Sequence, residues 1–159
     1  MREAISWVLL TTTLTLVGCA PIGPTASGVS TYSSVEKETT GEIDFYDERG
    51  RPVAYTDDGT HIFTFTGRPA AYFDSESVYS FSGRHLGWFE DGWIRDNDGR
   101  CVFYTPDAQG GPVKPVQQVK PLKSIKSAMP IKAVRSIRPV KAVKSLSWSR
   151  LSGEQFFED

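Results

Sequence analysis

Chemistry-bearing residues are scarce in this chain. Two cysteines and two histidines are all that 159 residues contain, and none stands at metal-ligand spacing. That excludes a disulfide framework and a Cys/His metal site. There is no G-x-S-x-G, H-E-x-x-H or C-x-x-C, and no glycine loop opens a helix, so no nucleophile, zinc or phosphate motif is present. The one long apolar run, residues 4–17, is short for a membrane span. Acid is missing from residues 112–150, which carry ten bases, whereas residues 36–107 carry fifteen acids and seven bases. The net charge of −1 therefore hides two opposed blocks, which point to electrostatic partners inside or outside the molecule.

What is present begins with an address. Arg2, the apolar run and then Leu16-Val17-Gly18-Cys19 resemble the signal peptide and lipobox of bacterial lipoproteins. That resemblance implies cleavage before Cys19, acylation of Cys19 and a partner in the lipid membrane. Ala20 follows the cysteine where Asp often marks inner-membrane retention, so the implied location is the cell envelope with the outer membrane favoured. An uncleaved anchor or a plain secretory peptide is the alternative. Residues 19–40 are rich in Pro, Gly, Ser and Thr and read as a flexible tether. With Cys19 lipidated, Cys101 has no partner and reads as a small apolar strand residue.

The middle of the chain is one short unit written four times: GRPVAY (50–55), GRPAAY (67–72), GRHLGW (83–88) and GRCVFY (99–104), with glycines 17, 16 and 16 apart. Before Gly67 and Gly83 the runs Ile62-Phe63-Thr64-Phe65-Thr66 and Val78-Tyr79-Ser80-Phe81-Ser82 alternate with period two, as half-buried strands do. Strand, glycine turn, strand is a hairpin. The spacing predicts two kinds of turn: two-residue loops at Thr66-Gly67 and Ser82-Gly83, and type I turns at Asp47-Glu48-Arg49-Gly50 and Asp96-Asn97-Asp98-Gly99.

A lone hairpin is unstable in water, so the four must pack together. With the IDFYDERGRPVAY opening, the SVYSFSGRHLGWFEDGWIRD centre and the basic VKPV that follows, the unit resembles the four-fold β-flower family over roughly residues 42–106. The resemblance implies an all-β fold of four consecutive hairpin repeats around a pseudo-four-fold axis, and no established biochemical activity. Another short meander or barrel of aromatic-glycine repeats is the alternative.

Arg51, Arg68, Arg84 and Arg100 share one repeat position and would form a ring able to hold a phosphate or carboxylate; pairing with turn carboxylates such as Asp47 or Asp96 is the plainer reading. Tyr55, Tyr72, Trp88 and Tyr104 read as core rather than a stacking platform, while Phe89 and Trp93 are irregular and more open to a surface role. His85 and Cys101 stand where the first two copies have proline. His85 with a nearby carboxylate would make a small hydrolase, and His61 stands at a turn exit. Asp96-Asn97-Asp98-Gly99 starts like a calcium loop but lacks the later ligands, so it is a turn. No catalytic residue, metal or cofactor is expected.

From Val113 the chain divides into twelve triplets: VKP VQQ VKP LKS IKS AMP IKA VRS IRP VKA VKS LSW. The first place is always aliphatic and the second is Lys or Arg in nine. A period of three is that of polyproline II. The cations are Lys114, Lys120, Lys123, Lys126, Lys132, Arg135, Arg138, Lys141 and Lys144. Three fates are open to this basic tail: a disordered linker, an internal strap on the acidic hairpins, or a binder of anionic envelope polymer or membrane; nucleic acid is not expected. Residues 148–159, with Trp148, Leu151, Phe156 and Phe157, are apolar enough to dock on the hairpins, with Ser152 and Gln155 bracketing a short helical turn.

The chain thus reads as a signal peptide (1–18), tether (19–40), four-hairpin domain (41–111), extended basic tail (112–147) and docking segment (148–159). The expected role is a non-catalytic envelope module, structural or binding, whose tail contacts an anionic surface. A small hydrolase and an adaptor for one partner protein are the alternatives.

Overall fold

The computed structural model describes residues 41–158. The expected signal peptide, Cys19 and the tether lie outside them. Eight antiparallel strands follow in chain order: β1 Ile43–Tyr46, β2 Pro52–Thr56, β3 His61–Thr64, β4 Pro69–Asp74, β5 Ser77–Tyr79, β6 His85–Glu90, β7 Trp93–Asp96 and β8 Cys101–Tyr104. Each pairs with its neighbour, and Tyr46 opposite Tyr104 joins β1 to β8, so the sheet closes as a barrel. Four hairpins, β1β2 to β7β8, are the four copies of the repeat, as the all-β expectation requires.

The Gly-Arg turns are of one kind, not two. In each, the glycine N–H donates to the carbonyl three residues back, at Asp47, Thr64, Ser80 and Asp96, over 2.9–3.1 Å. Gly50, Gly67, Gly83 and Gly99 then take φ between +74° and +90°. This is a type I turn closed by a left-handed glycine, which adds a bulge to the strand pair. The register shifts at the corresponding place in all four hairpins. The first turn residue is polar for a reason: Asp47 Oδ1 and Asp96 Oδ1 accept backbone N–H groups at 2.9–3.0 Å, and Thr64 Oγ1 and Ser80 Oγ accept those of Arg68 and Arg84 at 3.2 Å. Phe65 and Phe81 consequently lie in turns, because the period-two run continues past the strand end. The two-residue turns occur between hairpins, at Ser75-Glu76 and at Asp91-Gly92, where both residues have positive φ.

Inside the barrel the side chains are aliphatic or phenyl. Phe45, Ile62, Val78 and Ile94, each five residues before its glycine, are fully buried together with Ala54, Ala71 and Phe103. Phe45, Phe73 and Phe89 form a triangle with ring centres 5.2–6.1 Å apart. Phe89 therefore packs on the core, while Trp93, only 1% exposed, is buried in a separate cluster with Tyr46 and Tyr104. Small residues at Ala54, Ala71 and Gly87 leave space that the chain's end fills. A 3-10 helix, Gly153–Phe157, sends Phe156 and Phe157 into the same cluster against Phe103, at 5.5 and 5.3 Å.

Candidate functional site

The repeat aromatics are buried, but not in the barrel. Tyr55 and Phe63 form one cluster with Phe65, and Tyr72 and Tyr79 another with Phe81, both separate from the aliphatic core. They face outward, and the basic tail covers them. Residues 112–147 contain no helix or strand and pass all four hairpins in turn as a strap. Gln118, Ser127, Ser136 and Ser145 donate their backbone N–H groups to the carbonyls of Gly50, Gly67, Gly83 and Gly99 at 2.8–2.9 Å. The donors are nine residues apart, three triplets per hairpin. The contact is so close that a Cβ on these glycines would lie 2.0–2.2 Å from the carbonyl oxygens of Val116, Ile125, Val134 and Val143.

That register sets what each cation does. Lys123, Lys132 and Lys141 lie over Tyr55, Tyr72 and Trp88 at 4.0, 4.3 and 4.9 Å. Lys126 lies over Phe63 at 4.2 Å and Arg135 over Tyr79 at 5.6 Å. Cations over ring faces are stabilising and leave the ammonium free for a carboxylate. The carboxylates are the acidic block: Lys120 meets Asp44 (2.7 Å), Lys126 Asp57 (2.6 Å), Lys141 both Glu76 (2.8 Å) and Glu90 (2.7 Å), and Lys144 Asp91 (2.7 Å). Lys123 pairs with Glu42 and Arg135 with Asp74. Hydrogen bonds from Lys141 and Lys144 hold the Glu76 and Asp91 carboxyls below the usual range. Lys114 donates instead to the carbonyls of Pro106 and Ala108 at 2.7 and 2.8 Å. Arg138 makes no ion pair among the described residues.

The fourth hairpin departs from the others. Arg95 stands where they have Tyr46, Phe63 and Tyr79. Buried, it donates to the carbonyls of Gly99 (3.0 Å), Ser145 (2.6 Å) and Gly110 (3.2 Å), tying turn, strap and the following loop together. Trp148 closes the strap over Trp93 and Tyr104, at 5.5 and 6.0 Å. Cys101 is buried beneath it, and burial pushes its thiol up to about 11.

The four repeat arginines surround the chain's end. Arg51 pairs with Asp47 at 2.7 Å, as the plainer reading expects. Arg68 reaches Glu154 at 4.0 Å, and Arg84 donates to the Glu158 carbonyl. Arg100 lines a cleft of about 560 Å³ with Arg84, Arg150, Asp96 and Gln155.

His85 borders that cleft but is turned away from chemistry. Its Nδ1 is 2.8 Å from Asn97 Oδ1, its ring packs on Tyr79 and Trp88, and Nε2 is buried without a partner. Burial lowers its pKa, so it is neutral near pH 7. Both nitrogens are closed to an incoming substrate in this arrangement, and the neighbour that orients the ring is an amide, not the carboxylate that the hydrolase reading expects. His61 Nδ1 pairs with Asp58 Oδ2 at 2.7 Å within an exposed turn whose backbone N–H groups Asp58 also holds.

The geometry has its counterpart among known proteins. The family model described as 4-fold beta flower protein matches residues 43–157. The chain belongs to that family. Neither the curated proteins nor the solved structures gave a match. The matched span runs well past residue 106, through strap and docking segment, so in this beta flower the tail is part of the family unit and no appendage. The nine-residue register was readable in the tail: set in rows of nine, Lys114, Lys123, Lys132 and Lys141 align, and Gln117 heads the column of Lys126, Arg135 and Lys144.

Proposed function

We propose that this protein is a non-catalytic, lipid-anchored module of the bacterial cell envelope, with a structural or binding role. The observation that carries the non-catalytic reading is His85, whose Nδ1 is taken by Asn97 and whose Nε2 is sealed between aromatic rings. The Leu16-Val17-Gly18-Cys19 motif supports the anchor, and the family description names a fold, not an activity.

The strap's cations bear on the binding partner. Expected to meet an anionic polymer or membrane, they are engaged with the barrel's own rings and carboxylates. The side of the strap that is offered outward is aliphatic. An apolar contact, not an ionic one, is the binding mode this module supports.

Intact mass of the protein purified from membranes tests the anchor. Loss of residues 1–18 with added acyl mass is expected; an unmodified chain beginning at Met1 would refute it. Replacing Cys19 by Ala is expected to shift the protein out of the lipid-bound fraction.

A further inference from the structure

The strap wears its apolar ridge on the outside. Ten aliphatic side chains from Val113 to Val143 are 89–95% exposed, and Leu146 is 70% exposed. Single exposed aliphatics are ordinary, but a continuous apolar row on a soluble face marks an interaction surface. The row is regular because cations occupy the inward place of nine of the twelve triplets, which turns the aliphatic place outward. It also makes a circuit: Val116, Ile125, Val134 and Val143 sit at the turns of the first to fourth hairpins of a closed barrel.

We infer that this girdle is the surface through which copies of the chain pack side by side. The circuit chooses among occupants. A flat bilayer touches the flank of a barrel on one side only, end-on it would bury the charged Arg49, Arg51, Arg68 and Glu154 at the turn end, and a single partner protein needs one patch. Neighbours of the same kind approach from every side, and a girdle that meets the same girdle is apolar against apolar. Charge does not oppose them, because the basic strap and the acidic barrel nearly cancel within each copy. Two convex girdles meet over a few side chains each, below the roughly 800 Å² per partner of a standard interface. One contact is therefore weak, and the assembly depends on several neighbours at once in a confined layer. The inference rests on the structural reading above for that layer, which an acylated Cys19 would supply.

Disulfide capture in intact cells tests it, using the full chain with one added cysteine. Val119→Cys lies between the first and second hairpins on the strap, Ile137→Cys between the third and fourth, and Thr60→Cys in the exposed turn between β2 and β3, at the barrel end away from the girdle. Under mild oxidation each girdle variant is expected to give dimers at least ten-fold above Thr60→Cys, and the Val119→Cys/Ile137→Cys double variant a ladder beyond the dimer. Equal capture at Thr60→Cys, which is mere crowding, overturns the inference. So does capture of another protein, or labelling of the girdle by a photoactivatable phospholipid without dimers. Intact mass on the same sample separates the two readings: acyl mass without capture sinks the array alone, and capture without acyl mass sinks the anchor alone.

Discussion

Two glycine-to-alanine changes separate the strap's contact from ordinary backbone strain. Gly59 has φ +68° and nothing within 4 Å of where a Cβ would stand. Gly59→Ala thus costs only the left-handed conformation, about 1 kcal/mol. Gly67 has φ +84°, a comparable backbone cost, but its Cβ would lie 2.1 Å from the Ile125 carbonyl oxygen and 2.9 Å from its carbon. Backbone atoms cannot rotate aside, so the strap must lift from the turn. Lifting breaks Ser127 N–H to Gly67 O (2.8 Å) and Ser124 N–H to Phe65 O (2.9 Å), about 1 kcal/mol each. It also loosens Lys126 from Phe63 at 4.2 Å, a further ~0.5–1 kcal/mol. Gly67→Ala is expected to cost about 4 kcal/mol in urea unfolding followed by tryptophan fluorescence, roughly 3 kcal/mol more than Gly59→Ala. Trypsin should also cut the folded variant at Lys123 and Lys126 before the wild type. A Gly67→Ala cost within about 0.5 kcal/mol of Gly59→Ala, with the strap uncut, would show that the strap does not lie on the turn.

Three further outcomes follow from buried or paired groups. Phe157, stacked on Phe103 at 5.3 Å and 3% exposed, should cost about 3–5 kcal/mol when replaced by Ala; a loss under ~1 kcal/mol in the same urea assay would mean the docking segment is not part of the core. The Cys101 thiol, pushed up to about 11 by burial, should resist alkylation at pH 8 in the folded protein and react at the unfolding rate, whereas rapid labelling would show that the strap does not cover it. The Asp58 carboxyl is held well below its usual range, because the hydrogen bonds from His61 and Thr60 outweigh the opposing effect of burial. A depressed carboxyl stabilises the fold above its unfolded pKa and loses that effect as pH falls. Asp58→Asn should therefore be less stable than wild type at pH 7 and converge on it under acid; a pH-independent difference would contradict this.

The hairpins were legible because Gly50, Gly67, Gly83 and Gly99 each punctuate two short apolar runs, and a left-handed turn admits little else. Where each strand stops was not. Phe65 and Phe81 continue the period-two pattern into the turn, and only the hydrogen bonds to Thr64 and Ser80 show that the strand has ended. The repeat aromatics were correctly read as buried, but alternation cannot say which face of a closed sheet they occupy. Tyr55, Tyr72 and Trp88 lie outside the wall because a second layer, the strap, covers them. The triplet pattern, aliphatic first and basic second, does not say which place faces inward. That depends on what the barrel presents, rings flanked by Asp57, Asp74 and Glu90, and so on the tertiary fold.

The inverted strap calls for a reason that the barrel itself does not provide. Cations inward offset an acidic domain and cover its rings, which explains the second place of nine of the twelve triplets. It leaves the first place free to be anything soluble. Extended backbone favours β-branched residues, and Val and Ile would meet that need. Thr would meet it equally, and Thr is used at 60, 64 and 66 in the hairpins yet nowhere between 113 and 148. Leu122 and Leu146 hold first places without being β-branched. What the first places share is apolar surface, not backbone preference. Because the strap's side-chain contacts run through the second and third places, that surface adds nothing to holding the strap down, and nothing among the described residues covers it.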